Sequence, residues 1–226
     1  MNLLSIDTSG AVCSVAVFCD EQLVSECYLH HRLNHSAVLM ELVDRCLKDA
    51  GCSLSQMDLF AVSIGPGSFT GLRIGVGTIK AFAQATGKKV AAVSTLDLLA
   101  QNAPERRGVV CTLMDARNRR VFASAFQAGE KILKDCALEL SELKERLPFG
   151  EAVYFVGDGA HMYYGELQKI FEDCSFAPAN LCLQRASAAY PLVLAAMRQG
   201  ALLTCEEVEL NYLVQSQAER NYKEKR

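Results

Sequence analysis

The sequence predicts an α/β protein made of two related halves, 1–108 and 109–226, and three observations carry that prediction. Residues 111–126, CTLMDARNRRVFASAF, overlay residues 3–18, LLSIDTSGAVCSVAVF, at an offset of 108, which places Asp115 on Asp7 and Phe126 on Phe18. The later run VYFVGDG at 153–159 echoes AVSIGPG at 61–67 at an offset of 92. Strands, a helix, a strand ending in a Gly-x-Gly turn and another helix therefore occur twice, an internal duplication with its seam near Pro104 to Gly108.

The elements follow in order. LLSIDTS, AVCSVAVFC and LVSECYLH are short strand-like runs joined by SG and DEQ turns, which makes a meander. HSAVLMELVDRCLKDAG has helical periodicity from about Ser36 to Ala50, closed by Gly51, with Glu41, Asp44, Arg45 and Lys48 on one polar stripe. Ser53-Leu-Ser-Gln56 has the spacing of a capping box, LFAVSI and KVAAVS read as strands, and a helix from about Leu72 to Thr86 lies between them.

The loop into that helix, SIGPGSFTGLRIGVG, is rich in glycine but has no Gly-Lys-Ser/Thr, and Pro66 removes an N–H that a phosphate nest would use. Geometry explains the glycines better. Gly65 and Gly67 permit a sharp turn, Ser68 or Thr70 caps the helix, and Gly71 and Gly75 clear one of its faces for close approach. Leu72, Val76, Ile79 and Ala83 form one apolar face, and Ile74, Ala81 and Phe82 help form another. A surface helix needs a single apolar stripe, so this one is either sandwiched inside its own domain or shared with a partner.

Composition narrows the class. Of 226 residues 50% are hydrophobic and 22% charged, enough for a sizeable core, and a formal charge of −3 gives no bulk basic field for nucleic acid. No run approaches the ~18 uninterrupted apolar residues of a membrane helix, and the opening MNLLSIDTSG lacks the basic start of an export leader, so a cytoplasmic protein is expected. The ten cysteines contain no CxxC and sit mostly among apolar residues, which reads as reduced thiols rather than a disulfide framework or zinc site. His31 and His35 straddle a helix start and carry no HExxH pattern, so they read as capping or solvated, and His161 reads as a helix-start residue. Asp7, Thr8 and Ser9 suit either a turn held by Asx and hydroxyl hydrogen bonds or a grip on magnesium and phosphate. The terminal KEKR reads as a solvated tail.

Two related α/β halves are the organisation of the actin, Hsp70 and sugar-kinase superfamily, which holds ATP between its halves. IDTSG, GPGSFTGLRIGVG, MDAR at 114–117 and NYLVQSQAER together resemble the bacterial TsaB family, also called YeaZ, over almost the whole chain. The resemblance implies the actin-like/Hsp70-like ATPase (ASKHA) fold, with a shortened and degenerate second half. It also implies a role in making threonylcarbamoyladenosine, the tRNA modification next to the anticodon. There the chain would be a non-catalytic subunit that binds and activates its paralogue TsaD, with the ATPase TsaE completing the assembly and tRNA met through the complex. Alone, it would form a homodimer. ATP and magnesium would be used by the complex and not held tightly by this subunit.

In TsaD a metal is held by two histidines four apart, where this chain has VSTLDLLAQ at 93–101. A Ser-Gly-Gly-His loop stands where this chain has Met114, Asp115, Ala116 and Arg117. No catalytic residue and no metal are therefore expected. The resemblance places the partner interface on the first two helices, at Leu39, Val43, Gly71, Leu72, Gly75, Ile79 and Phe82, with Asp7, Thr8, Ser9 and Asp115 as a possible nucleotide loop. Two alternatives stay open: an ATP-dependent small-molecule kinase, and a metallopeptidase, which the missing histidine pair disfavours.

Overall fold

The computed structural model describes residues 1–30, 34–103, 108–148 and 150–214. The first half contributes β1 (Leu3–Asp7), β2 (Val12–Cys19), β3 (Gln22–His30), α1 (His35–Asp49), β4 (Leu59–Gly65), α2 (Phe69–Thr86), β5 (Lys89–Ser94) and α3 (Thr95–Ala100). The second begins with β6 (Val109–Asp115), β7 (Arg120–Gln127), β8 (Glu130–Glu139) and α4 (Leu143–Arg146). It continues with β9 (Val153–Val156), α5 (Asp158–Met162), α6 (Tyr164–Ile170) and β10 (Cys174–Phe176), and α7 (Tyr190–Arg198) follows.

The duplication holds at the level of topology. One five-stranded sheet runs β3-β2-β1-β4-β5 and the other runs β8-β7-β6-β9-β10, the same succession of antiparallel meander and parallel additions. Asp7 and Asp115 each end the central strand of their sheet. Between α1 and β4 the expected capping box forms over a short 3₁₀ turn at Leu54–Gln56, with the Gln56 side chain accepting from Ser53 N at 2.8 Å. α2 starts at Phe69 instead of Leu72, because Ser68 caps it by accepting from Gly71 N at 3.2 Å.

β1 and most of β2 are buried along their whole length, so the first sheet has two apolar faces to cover. α1 and α2 cover one, through Leu39, Val43, Cys46, Val76 and Ile79 against Leu4, Ile6, Val15 and Phe60. The other is covered by Ala186, Ala189 and Val193, which pack on Leu3, Ala16, Leu59 and Ala91, with the Phe18 and Tyr190 rings stacked at 4.6 Å. The expected division at residue 108 is corrected here, since the chain from Ala186 to Asn211 belongs with the first half. Leu203 bridges Val90, Val208 enters the first core, and Asn211 N donates to Ile64 O at 2.8 Å. In return α3 sends Leu96 and Leu99 into the second half, against Met114, Phe122, Tyr154 and Val156. Of the expected seam, 104–107 lies outside the described residues.

Gly71 and Gly75 let α2 ride directly on the turn after β1. A Cβ at Gly71 would fall on the Thr8 carbonyl oxygen and one at Gly75 on Thr8 Oγ1, while Thr8 Oγ1 donates to Gly71 O at 2.7 Å. Overpacking of this kind costs on the order of 1–3 kcal/mol or more. Gly75→Leu is therefore expected to lower the melting temperature by roughly 5–10 °C in the isolated chain. Gly77, on the same helix, has open space around its Cβ position, so Gly77→Ala should raise it slightly. Paired thermal melts of the two variants check the contrast, and a Gly75→Leu melt equal to the parent's would refute the packing account.

Candidate functional site

The two halves face each other across a cleft of ≈ 440 Å³. From the first half come the β1–β2 turn at Ser9–Ala11 and the loop Pro66–Thr70, and from the second come Met114–Arg117 and Asp158. The returning residues Asn211–Val214 close one side. The glycine loop reaches the cleft because Gly65 (φ 123°) and Gly67 (φ 157°) turn the chain where a side chain would strike Asn211 O or Ser9 O, and Ser68 N then donates to Ser9 O at 2.7 Å.

Among the expected loop residues the structure separates those that face the cleft from those behind it. Ser9 and Asp115 line it, whereas Asp7 and Thr8 are buried below. The Asp7 carboxylate accepts from Ser9 N at 3.2 Å, from Ser9 Oγ at 3.0 and 3.1 Å, and from Ser63 Oγ. Burial pushes its pKa up, and these hydrogen bonds, with the nearby His35, only partly oppose that. Asp115 Oδ1 accepts from Arg117 N at 3.0 Å and from Tyr163 OH at 3.1 Å. Asp158, which the sequence reading did not single out, stands beside it, with Oδ1 accepting from Asp115 N at 3.3 Å and from Gly159 N at 2.9 Å. Desolvation raises the Asp158 carboxyl as well. The repeat contained the signal, because an offset of 92 sets Asp158 on Pro66 of the glycine loop.

At the mouth, Phe69 stacks on Tyr212 at 4.5 Å. The Arg73 guanidinium lies 4.0 Å above the Phe69 ring, and its Nε donates to Tyr212 OH at 3.2 Å. Phe69 and Arg73 are one helical turn apart on α2, whereas Tyr212 meets them only because the chain returns.

His35 Nε2 lies 2.9 Å from Gly10 O, tying α1 to the β1–β2 turn, while His31 lies outside the described residues. His161 falls in the last turn of α5 rather than at a helix start, with Nε2 3.0 Å from Ala177 O, because Gly157 is the N-cap. All ten cysteines are free thiols. Among the described residues no group of three or more His, Cys, Asp or Glu is placed to hold a metal, and no helix is long and apolar enough to cross a membrane. The KEKR tail lies outside the described residues.

The expected interface set needs correction at six of its seven positions. Leu39, Val43, Leu72 and Ile79 are 0–3% exposed inside the chain's own structure, and the space beside Gly71 and Gly75 is taken by Thr8. Hydrophobic spacing on a helix does not tell an inward stripe from an outward one. Phe82 alone of the set keeps part of its surface, and it shares α2's second apolar face with the half-buried Ile74. On neighbouring α1, Met40 is 54% exposed.

Two sheets of one succession, with their turns opposed across a cleft, define the actin-like/Hsp70-like (ASKHA) fold. Residues 30–221 match the family model described as TsaD, tRNA N6-adenosine threonylcarbamoyltransferase. A solved structure titled YeaZ from Pseudomonas aeruginosa superposes with a TM-score of 0.77 at 28% identity, over 93% of this chain and 100% of that one. The tRNA threonylcarbamoyladenosine biosynthesis protein TsaB of Buchnera aphidicola subsp. Schizaphis graminum is 32% identical over 165 residues, 70% of this chain and 78% of its own length. The protein of that name from Bacillus subtilis (strain 168) is 31% identical over 134 residues, 59% of this chain, and the match spans only 58% of that relative's length. The chain belongs to the TsaB (YeaZ) family.

The buried Asp7 gives the site a pH signature. Its folded pKa lies above the unfolded value, so between the two the native state holds a proton that the unfolded chain has released, and stability falls as pH rises through that window. Asp7→Asn keeps an acceptor for Ser9 N and removes the buried charge. It is expected to melt above the parent at pH 7, with the gain shrinking towards pH 4, in a series of thermal melts against pH. A gain that grows as pH falls would contradict the assignment.

Proposed function

We propose that this chain is a non-catalytic subunit that binds and activates TsaD in the transfer of a threonylcarbamoyl group to the tRNA adenosine next to the anticodon. TsaE joins in a ternary complex, tRNA is met through the complex, and the chain pairs with itself when TsaD is absent. The observation that carries this reading is the kinship to proteins named for threonylcarbamoyladenosine biosynthesis. The surface left over once the core is complete supports it: Met40 on α1 is 54% exposed, and Ile74 and Phe82 on α2, although packed against the first core on one side, keep part of their surface.

The cleft is a poor match to a tightly held magnesium nucleotide. The Asp7 carboxylate, which suited either a hydrogen-bonded turn or a grip on magnesium, is buried and taken up by Ser9 and Ser63. Among the described residues the charged side chains lining the cleft are Asp115, Asp158 and Arg117, so a single cation faces a polyphosphate. These same carboxylates are what the kinase alternative has in its favour. Calorimetry of the isolated chain with Mg-ATP is expected to show no tight binding, and saturable tight binding would favour the kinase.

Met40→Asp is expected to abolish copurification with tagged TsaD while leaving the melting temperature of the isolated chain within about 2 °C of the parent's, since Met40 is exposed in the isolated chain and a charge buried in an apolar contact with a partner costs several kcal/mol. Asp97→Ala should leave the threonylcarbamoyladenosine yield of the reconstituted system within a few-fold of the parent's. Asp97 pairs with Lys131 at 2.5 Å on a partly exposed surface, and Lys131 keeps Asp135 at 2.6 Å. Severe loss in the Asp97 variant with the complex intact would mean that this chain supplies chemistry.

A further inference from the structure

Cys19 is the last residue of β2, and Cys52 stands two residues beyond the C-cap of α1. Their Sγ atoms are 3.1 Å apart although the residues are 33 positions apart in sequence. Both are free and both are only partly buried, so a small solute can reach the pair. The turn that delivers Cys52 passes through Gly51, which has φ 66° and open space around it, and Cys52 Sγ also donates to Ala50 O at 3.5 Å. Cys46, the cysteine within α1, is 0% exposed with Sγ directed to Val15 O at 3.4 Å, beyond the reach of a bulky reagent.

We propose that Cys19 and Cys52 form a thiol–disulfide modification site, closed by a low-molecular-weight disulfide such as oxidised glutathione and reopened by excess thiol. Burial, together with the Cys52 thiol beside it, holds the Cys19 thiol above the ordinary range. The exchange can begin at Cys52. Its thiolate attacks one sulfur of the small disulfide, the S–S bond breaks, and one glutathione thiolate leaves. Cys19 then gives its proton to solvent and attacks the Cys52 sulfur, breaking the mixed disulfide and releasing the second glutathione thiolate. The two protein thiols lose two electrons and two protons, and the small disulfide takes up both as it becomes two thiols. The new bond closes a loop that contains β3 and α1 and pins the C-terminal end of α1 to β2. By restricting the unfolded chain it should raise the melting temperature by roughly 5–15 °C.

The test equilibrates the full chain with mixtures of oxidised and reduced glutathione, maps the cysteines by peptide mass spectrometry and records melts on the same samples. The expected result is a Cys19–Cys52 crosslinked peptide and a raised melting temperature, both reversed by dithiothreitol. Neither should occur in Cys19→Ser or Cys52→Ser, and Cys19→Ser should instead accumulate a mixed disulfide at Cys52. Separate glutathione adducts on both cysteines of the parent, a bond between another pair, or no modification in fully oxidised glutathione would overturn the proposal. Should one serine variant fail to fold, the other decides, because either removes the crosslink.

Discussion

Each half of this protein is built around a sheet with two apolar faces, and the structure depends on how the second face of each is covered. The outer face of the first sheet is closed by α1 and α2, elements of the same half. The inner faces are closed by exchange, with Ala186, Ala189 and Val193 from late in the chain on the first sheet and Leu96 and Leu99 of α3 on the second. Neither half completes its burial alone, and apolar burial is the dominant favourable contribution to folding. The exchange also sets the spacing of the halves, and with it the cleft.

Polar contacts reinforce the exchange. Ser94 Oγ donates to Asp135 at 2.5 Å across the halves, close to the ion pair of Asp97 and Lys131, and Arg185 pairs with Glu26 while Ser187 Oγ donates to the same carboxylate at 2.6 Å. Such partly exposed pairs add little stability by themselves. Their value is geometric, because they fix which residues of α3 and of the returning segment meet which sheet. The same late segment carries Tyr212 to Phe69 and Arg73. The mouth of the cleft is thus assembled from residues more than a hundred positions apart.

The close approach of α2 to the turn after β1 links the core to the site. Without side chains at Gly71 and Gly75, the helix packs onto Thr8, which holds Ser9 at the cleft and Asp7 beneath it. With its donors Ser9 and Ser63, Asp7 is the structural pin of that turn. Its repeat partner Asp115 keeps its place at a strand end but opens onto the cleft and accepts from Tyr163. Divergence between the halves has therefore kept the strand geometry and changed what the two carboxylates face.

Much of this was legible in the sequence, because the information is local. Alternating and helical periodicities place the strands, α1 and α2, the capping box at Ser53–Gln56 forms as spelled, and the offsets of 108 and 92 report real topological equivalence. The motifs also name the family. What the sequence did not determine is which way apolar residues point and which distant segments meet. Leu39, Leu72 and Ile79 have the same spacing whether they face a partner or a sheet, and the tertiary structure turns them inward. The boundary at 108, the place of Asp158 beside Asp115, the contact of Phe69 with Tyr212 and the meeting of Cys19 with Cys52 all depend on long-range packing. That packing is decided by the total apolar area two sheets must cover, a property of the whole chain that no short window of residues contains.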